Sequence, residues 1–77
     1  MSWQETIKDP DEIKVFMALD GPAYTWRTMR AIARQTGLTE DRVEQILAKY
    51  DLQLTRLSPT PSVSGSALVG LIEKVGA

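Results

Sequence analysis

Few residues of this 77-residue chain could carry out catalysis. The sequence contains neither histidine nor cysteine. His general bases, thiolate nucleophiles and His- or Cys-ligated zinc sites are therefore excluded. Asp9, Asp11 and Glu12 form a carboxylate cluster around Pro10, but acidic residues in this setting are typical of a helix start rather than of a metal site. We expect a protein that is not an enzyme and that needs neither a metal nor another cofactor.

Two glycines have the spacing of a phosphate-binding loop. Gly65 and Gly70 are separated by four residues, as in that loop. The loop continues with Lys and then Ser or Thr, whereas Leu71 and Ile72 follow Gly70 here. The spacing therefore does not indicate a nucleotide site, and no small-molecule substrate is evident.

The arginines are candidates for contacts with phosphate groups. Arg27, Arg30 and Arg34 fall within one sector of a helical pattern, and arginines commonly hold phosphates. Together with Arg56 and Lys74 they predict a modest basic patch. An alternative interpretation is that these side chains are solvated or pair with the acids at 40, 41 and 44, because a charge run is usually an exposed face.

Length and composition predict one globular domain over residues 1–77. A hydrophobic content of 43% and a charged content of 25% are ordinary for a soluble domain, and a chain this short supports one core. Nine Lys and Arg against ten Asp and Glu give a net charge of −1. A phosphate-binding domain usually has a clear positive excess, so the charge balance weighs against nucleic acid.

The sequence predicts a cytoplasmic protein without a membrane partner. Its longest apolar run, Ala67–Ile72, is far too short to span a bilayer. The first residues lack the basic and apolar stretches of a signal peptide. The absence of cysteine is compatible with a reducing compartment.

The N-terminal part predicts a short turn followed by a helix. Trp3–Lys8 can form a helical turn, in which Trp3 is expected to be half exposed, against the next helix or a partner. Asp9 is a good N-cap and Pro10 suits the first helical position, so a helix is predicted over Pro10–Leu19. Glu12 is expected to reach back to the cap from the third position.

Two further helices are predicted before residue 51. Thr28 caps the first of them and Gly37 supplies the left-handed residue at its end. A brief strand is predicted just before it, over Ala23–Trp26. Thr39 caps the other helix, whose apolar face recurs at helical spacing. That face consists of Val43, Ile46, Leu47 and Tyr50.

The C-terminal third predicts a β-hairpin. Leu52–Arg56 alternates apolar and polar residues, residues 58–66 form a loop rich in Ser and Pro, and Ala67–Ile72 reads as a returning strand. The predicted class is α+β, mostly α: an N-terminal segment (1–9), a three-helix core (10–50) and a hairpin (52–73), with a short first strand. The alternative is a three-helix bundle in which a C-terminal helix replaces the hairpin, and Leu71–Val75 favours it.

The segment from Ile32 to Ile46 resembles the helix-turn-helix unit. A small residue, Ala33, stands where the two helices would cross, and Gly37, which tolerates positive φ, follows four positions later. The apolar residue of the turn and two anchors on the second helix are matched by Leu38, Val43 and Ile46. With the hairpin, the order of elements resembles the winged-helix (winged helix-turn-helix) superfamily over Asp9–Val75.

This resemblance implies that the third helix would enter the major groove of DNA. Its face opposite the core carries Asp41, Glu44, Gln45, Ala48 and Lys49, with Arg42 at the edge and Glu40 at the start. Three carboxylates without a basic majority are unfavourable beside phosphates. The hairpin tip, 59–66, has no Lys or Arg, which also weakens the case for DNA.

Two functions remain as hypotheses. The first is DNA binding, as in a small transcription regulator. The second is protein–protein interaction or regulation on the same fold, in which the third helix does not read DNA. The partner is then duplex DNA or a protein. The candidate contact residues are Arg27, Arg30, Arg34, Asp41, Arg42, Glu44, Gln45, Lys49 and Arg56.

Overall fold

The computed structural model describes residues 3–21 and 25–76. It has five helices and three strands in these residues, which confirms the α+β class. In chain order the elements are α1 (Trp3–Thr6), α2 (Pro10–Leu19), β1 (Arg27–Thr28), α3 (Met29–Thr36), α4 (Glu40–Lys49), β2 (Thr55–Leu57), β3 (Leu68–Leu71) and α5 (Ile72–Val75). Within the described residues, none of these helices has the length and apolar character needed to cross a bilayer.

The start of α2 follows the local sequence signals. Oδ1 of Asp9 accepts hydrogen bonds from the backbone N–H groups of Asp11 (3.0 Å) and Glu12 (3.1 Å), and Pro10 occupies the first turn. The predicted helix bounds are confirmed. The expectation that the Glu12 side chain reaches back to the cap was wrong, because its carboxylate instead accepts hydrogen bonds from residues at the end of α4.

Capping residues also fix both ends of α3 and the start of α4. The Thr28 hydroxyl oxygen accepts from the backbone N–H of Ala31 (3.1 Å), and that of Thr39 accepts from the N–H of Arg42 (3.1 Å). Gly37 ends α3 with a φ of 79°, the left-handed conformation that glycine adopts without steric cost. The three predicted capping positions are confirmed.

The strands form one antiparallel sheet in the order β1-β3-β2. In the pairing of β2 with β3, Thr55 lies opposite Leu71 and Leu57 opposite Val69. The first short strand lies at Arg27–Thr28 rather than at residues 23–26. Of the earlier prediction, residues 23 and 24 lie outside the described residues, and Thr25 and Trp26 form a bend.

The two strands of the hairpin are shorter than predicted. Residues 52–54 form a turn, closed by a hydrogen bond from the Leu52 N–H to the Thr55 carbonyl (2.8 Å). β2 therefore begins at Thr55 and not at Leu52. β3 ends at Leu71 and α5 follows directly, so Ile72 is helical. The alternative that placed a helix here is right for residues 72–75 only, because the hairpin precedes that helix.

A single apolar cluster joins the helices to the inner face of the sheet. Its fully buried members include Phe16 of α2, Ile32 of α3 and Ile46 of α4. Trp3 was expected to be half exposed, but only 6% of it is exposed. Its ring packs on Phe16 (centroids 5.7 Å apart) and its indole N–H donates to Asp20 (3.1 Å). The N-terminal turn therefore belongs to the core.

Candidate binding face

The crossing of α3 and α4 determines which face of α4 meets solvent. The two helices pack against each other, and Ala33 of α3 is buried. The Gly37 N–H donates to the Ala33 carbonyl (2.9 Å), which closes the last turn of α3 before the chain reverses. Because Val43, Ile46 and Leu47 are buried, the opposite side of α4 faces outward.

The outward face of α4 is acidic. Its exposed residues are Glu40, Asp41, Glu44, Gln45, Ala48 and Lys49, the last of which pairs with α2. None of the three carboxylates has an ion-pair partner among residues 3–21 and 25–76. They are thus available to a partner that carries positive charge.

Arg42, a predicted contact residue, turns away from this face. Its guanidinium lies 3.5 Å from a carboxylate oxygen of Asp11 and 3.9 Å from one of Asp9, at the start of α2. These two acids were interpreted correctly as helix-start residues, but the ion pairs also hold Arg42 against α2. A partner on the outward face of α4 would not meet this cation first.

Lys49 is likewise held by α2. Its Nζ donates to Oε2 of Glu12 (2.9 Å), while the Tyr50 hydroxyl donates to Oε1 (2.6 Å). Glu12 is only 5% exposed. Burial raises the pKa of this carboxyl, but the hydrogen bonds from Tyr50 and Lys49 outweigh burial and hold the pKa below its ordinary value. The hydrogen bond to Glu12 raises the pKa of Lys49 and also that of Tyr50.

The arginines near α3 divide into two kinds. The guanidinium of Arg27 donates to the carbonyl of Ala18 and to the side-chain oxygen of Gln35. Arg30 and Arg34 are exposed, one turn apart on α3, and neither has an ion-pair partner in the described part of the chain. Both line a shallow hollow that Glu40 shares. The exposed cations therefore lie beside the acidic face of α4, not on it.

Arg56 does not join these arginines in one patch. Cross-strand partners point to the same face of a sheet. Arg27 lies opposite Val69 while Arg56 lies opposite Gly70, so the two arginines point to opposite faces. Arg56 donates instead to the carbonyl of Gly76 (3.3 Å).

A groove runs between the end of α4 and the sheet, and we call it the α4–β2 groove. Glu44, Leu47 and Asp51 line its helix side and Leu57 and Val69 its sheet side, with a volume of about 220 Å³. Leu47 and Val69 are buried floor residues, whereas Leu57 is 50% exposed. The sequence pattern missed Asp51 and Leu57. The alternation that begins at Leu52 could not identify Leu57, because Leu57 has the parity of Gln53 and Thr55, the polar positions of that pattern.

Comparison of this chain with protein-family models, curated proteins and solved structures found no match. In the described part of the chain, no group of three or more carboxylates is placed to hold a metal ion. A function therefore has to follow from the chemistry of the surface itself.

Proposed function

We propose that this chain is a winged-helix module that binds a protein partner and has no catalytic activity. The order of elements supports this fold: three helices (α2, α3 and α4), a short strand before the second of them, and a C-terminal hairpin whose loop, residues 58–67, is the wing. The buried Ala33 and the left-handed Gly37 support it at the helix crossing.

The placement of the two cations of α4 favours a protein over DNA as the partner. Arg42 and Lys49 are the only basic residues of that helix, and carboxylates of α2 hold both of them. On the surface that would face a DNA groove, the charged residues of α4 without an ion pair in the described part of the chain are Glu40, Asp41 and Glu44. Duplex DNA carries one negative charge per about 1.7 Å of its axis, so this surface would repel it.

The α4–β2 groove supports a protein partner in a second way. Its floor and sheet side are apolar, and the exposed Leu57 stands beside it. Protein interfaces are typically built from an apolar centre with a polar rim. Glu44 and Asp51 supply such a rim here. Phosphate groups gain nothing from an apolar floor, whereas side chains of a protein do.

Selection from a displayed library of random peptides of about 15 residues tests this function. The wild-type chain is compared with Glu44→Lys/Leu57→Asp, which alters the groove, and with Glu5→Lys/Met17→Asp. The second pair makes the same Glu-to-Lys change and a similar apolar-to-Asp change at exposed positions of α1 and α2. We expect peptides to be enriched on the wild type and the control but not on the groove variant. Equal enrichment of peptides on the groove variant and the wild type, or no enrichment on either, would overturn the proposal.

DNA binding is the second candidate, and the exposed Arg30 and Arg34 favour it. If these two arginines neutralise phosphates, fluorescence anisotropy should detect binding to a random duplex at about 50 mM salt, with a log–log salt slope of about −2. Arg30→Glu should then abolish that binding. We expect instead that the wild-type chain does not bind the duplex under these conditions.

A further inference from the structure

The rim of the α4–β2 groove carries one sign of charge. The charged residues that line it are Glu44 and Asp51. Glu40 continues the same side of α4 to a hollow beside Ser66 and Ala67 at the base of the wing, which Arg30 also lines. From Glu40 to Lys49, α4 rises about 14 Å, which is between two and three turns. A ligand lying along the groove would therefore meet negative charge at Glu44 and Asp51, and charges of both signs where it reaches Glu40 and Arg30.

The apolar surface does not stop at the groove. A second hollow, of about 370 Å³, adjoins it around the edge of β2 and shares Asp51 and Leu57 with it. Leu52, Ile72 and Arg56 also line this hollow, and the Arg56 guanidinium donates to the Gly76 carbonyl (3.3 Å). The groove and the hollow thus lie side by side, with Asp51 shared by both and Arg56 lining the hollow alone, which suits a ligand with more than one apolar side chain.

Leu52 is exposed in a conformation that suits it poorly. Its φ is 63° and it is 77% exposed. Glycine or asparagine adopts the left-handed region at lower cost than leucine does. The packing of this chain gains little from the Leu52 side chain, since most of it meets solvent. The turn at 52–54 accounts for the left-handed conformation but not for an exposed leucine in it, and this residue type favours contact with a ligand.

The edge of β2 offers little to a partner that adds a strand. The N–H of Ser58 donates to the carbonyl of Leu68, and the N–H of Ile72 donates to the carbonyl of Leu54. Along an antiparallel strand, every second residue directs its N–H and C=O groups towards the neighbouring strand, and the residues between direct theirs away from it. The backbone N–H and C=O groups of Thr55 and Leu57 therefore point away from β3. The N–H of Thr55 donates to the Tyr50 carbonyl, and the Thr55 carbonyl accepts from the N–H of Leu52. In the described part of β2, the outward N–H and C=O groups of Leu57 are thus the ones left for a partner strand, and one residue is too few for strand addition.

We infer that the α4–β2 groove binds an amphipathic helix of the partner protein, with apolar residues on one face and Lys or Arg flanking them. A helix in a groove is held by side chains at i, i+3 or i+4, and i+7, which matches adjacent depressions better than a strand does. The acidic rim at Glu44 and Asp51 selects cationic flanks by charge complementarity. This inference rests on the proposed protein-binding function and specifies the partner's chemistry.

The test uses the peptides that the library selection enriches on the intact chain. Their consensus should show apolar residues at helical spacing and an excess of Lys and Arg. A synthetic consensus peptide is labelled, and its affinity is measured by anisotropy beside a version in which every Lys or Arg is Glu. We expect the charge-reversed version to bind at least about tenfold more weakly. Added salt should weaken the cationic peptide's binding, because the rim is exposed.

Variants of the rim complete the test. Glu44→Lys and Asp51→Lys should each weaken the consensus peptide severalfold, whereas Glu5→Lys should leave its affinity unchanged. Peptides that depend on the groove but are acidic, extended or insensitive to Glu44→Lys would overturn the inference while leaving the protein-binding function in place. A library from which the groove enriches nothing would overturn both.

Discussion

The hydroxyl of Tyr50, the residue that ends α4, donates a 2.6 Å hydrogen bond to a carboxylate 38 residues earlier, that of Glu12 in the first turn of α2. Lys49 donates to the other carboxylate oxygen at 2.9 Å. This pair of contacts satisfies a buried charge, and it also pairs the last cation of α4 with a carboxylate of α2. The charge of the proposed binding surface therefore depends on a contact within the core.

Tyr50→Phe should measure the contribution of that contact. The substitution keeps the ring, which packs edge-on against Phe16 with centroids 5.5 Å apart, and removes only the donor to Glu12. Losing a hydrogen bond to a buried charged group should lower the free energy of unfolding by about 2 kcal/mol. Urea denaturation followed by tryptophan fluorescence gives the value. In a double-mutant cycle with Glu12→Gln, the two losses should not add, and full additivity would contradict a direct interaction.

The stability of the fold should also depend on the ionisation of Glu12. Because the folded-state pKa of this carboxyl lies below its ordinary value, its charge stabilises the fold above the unfolded-state pKa of about 4.3. That contribution is lost as the pH falls through the folded-state pKa. The difference in unfolding free energy between wild type and Glu12→Gln should hence be constant near neutral pH and shrink below about pH 4. A difference that grows towards acid would show the opposite sign of the pKa shift.

Local signals predicted the helices well because each depends on residues a few positions apart. Thr28, Thr39 and Gly37 act within one turn of the helix ends that they define. The α+β class followed from such signals together with the change from helical to alternating spacing after Tyr50. The start of β2 was missed by three residues, since the turn at 52–54 needs a left-handed Leu52 that its residue type does not favour.

The sequence predicted which residues lie on the outward face of α4, but not which of them pair with other elements. Helical spacing placed Asp41, Glu44 and Gln45 on the outward face correctly. It could not show that Arg42 and Lys49 pair with α2, because those partners lie more than 30 residues away in sequence and no short spacing relates them. The interpretation of Glu12 as a capping acid failed for the same reason.

Gly37→Ala should destabilise the turn between α3 and α4. A Cβ at this position would meet no neighbouring atom, so the cost comes from the φ of 79° alone. We expect a loss of about 1 kcal/mol in the free energy of unfolding. Gly21→Ala is the matched control, because Gly21 does not have a positive φ and its Cβ would lie 3.8 Å from the Ala18 carbonyl oxygen, an ordinary contact. Equal effects of the two substitutions would mean that the left-handed conformation at Gly37 is not strained for alanine.

Leu52→Asn should separate stability from binding at the hollow that adjoins the α4–β2 groove. Asparagine tolerates the left-handed conformation better than leucine, and a side chain that is 77% exposed loses little burial when it is replaced. The free energy of unfolding should therefore stay the same or rise by up to about 1 kcal/mol, while binding of the groove-selected peptide weakens. Leu57→Asn is the comparison: Leu57 is half buried in a strand, where asparagine is disfavoured, so this variant should lose both stability and binding. A marked loss of stability in Leu52→Asn would mean that Leu52 serves the fold, and its exposure would then no longer support a ligand at this edge of β2.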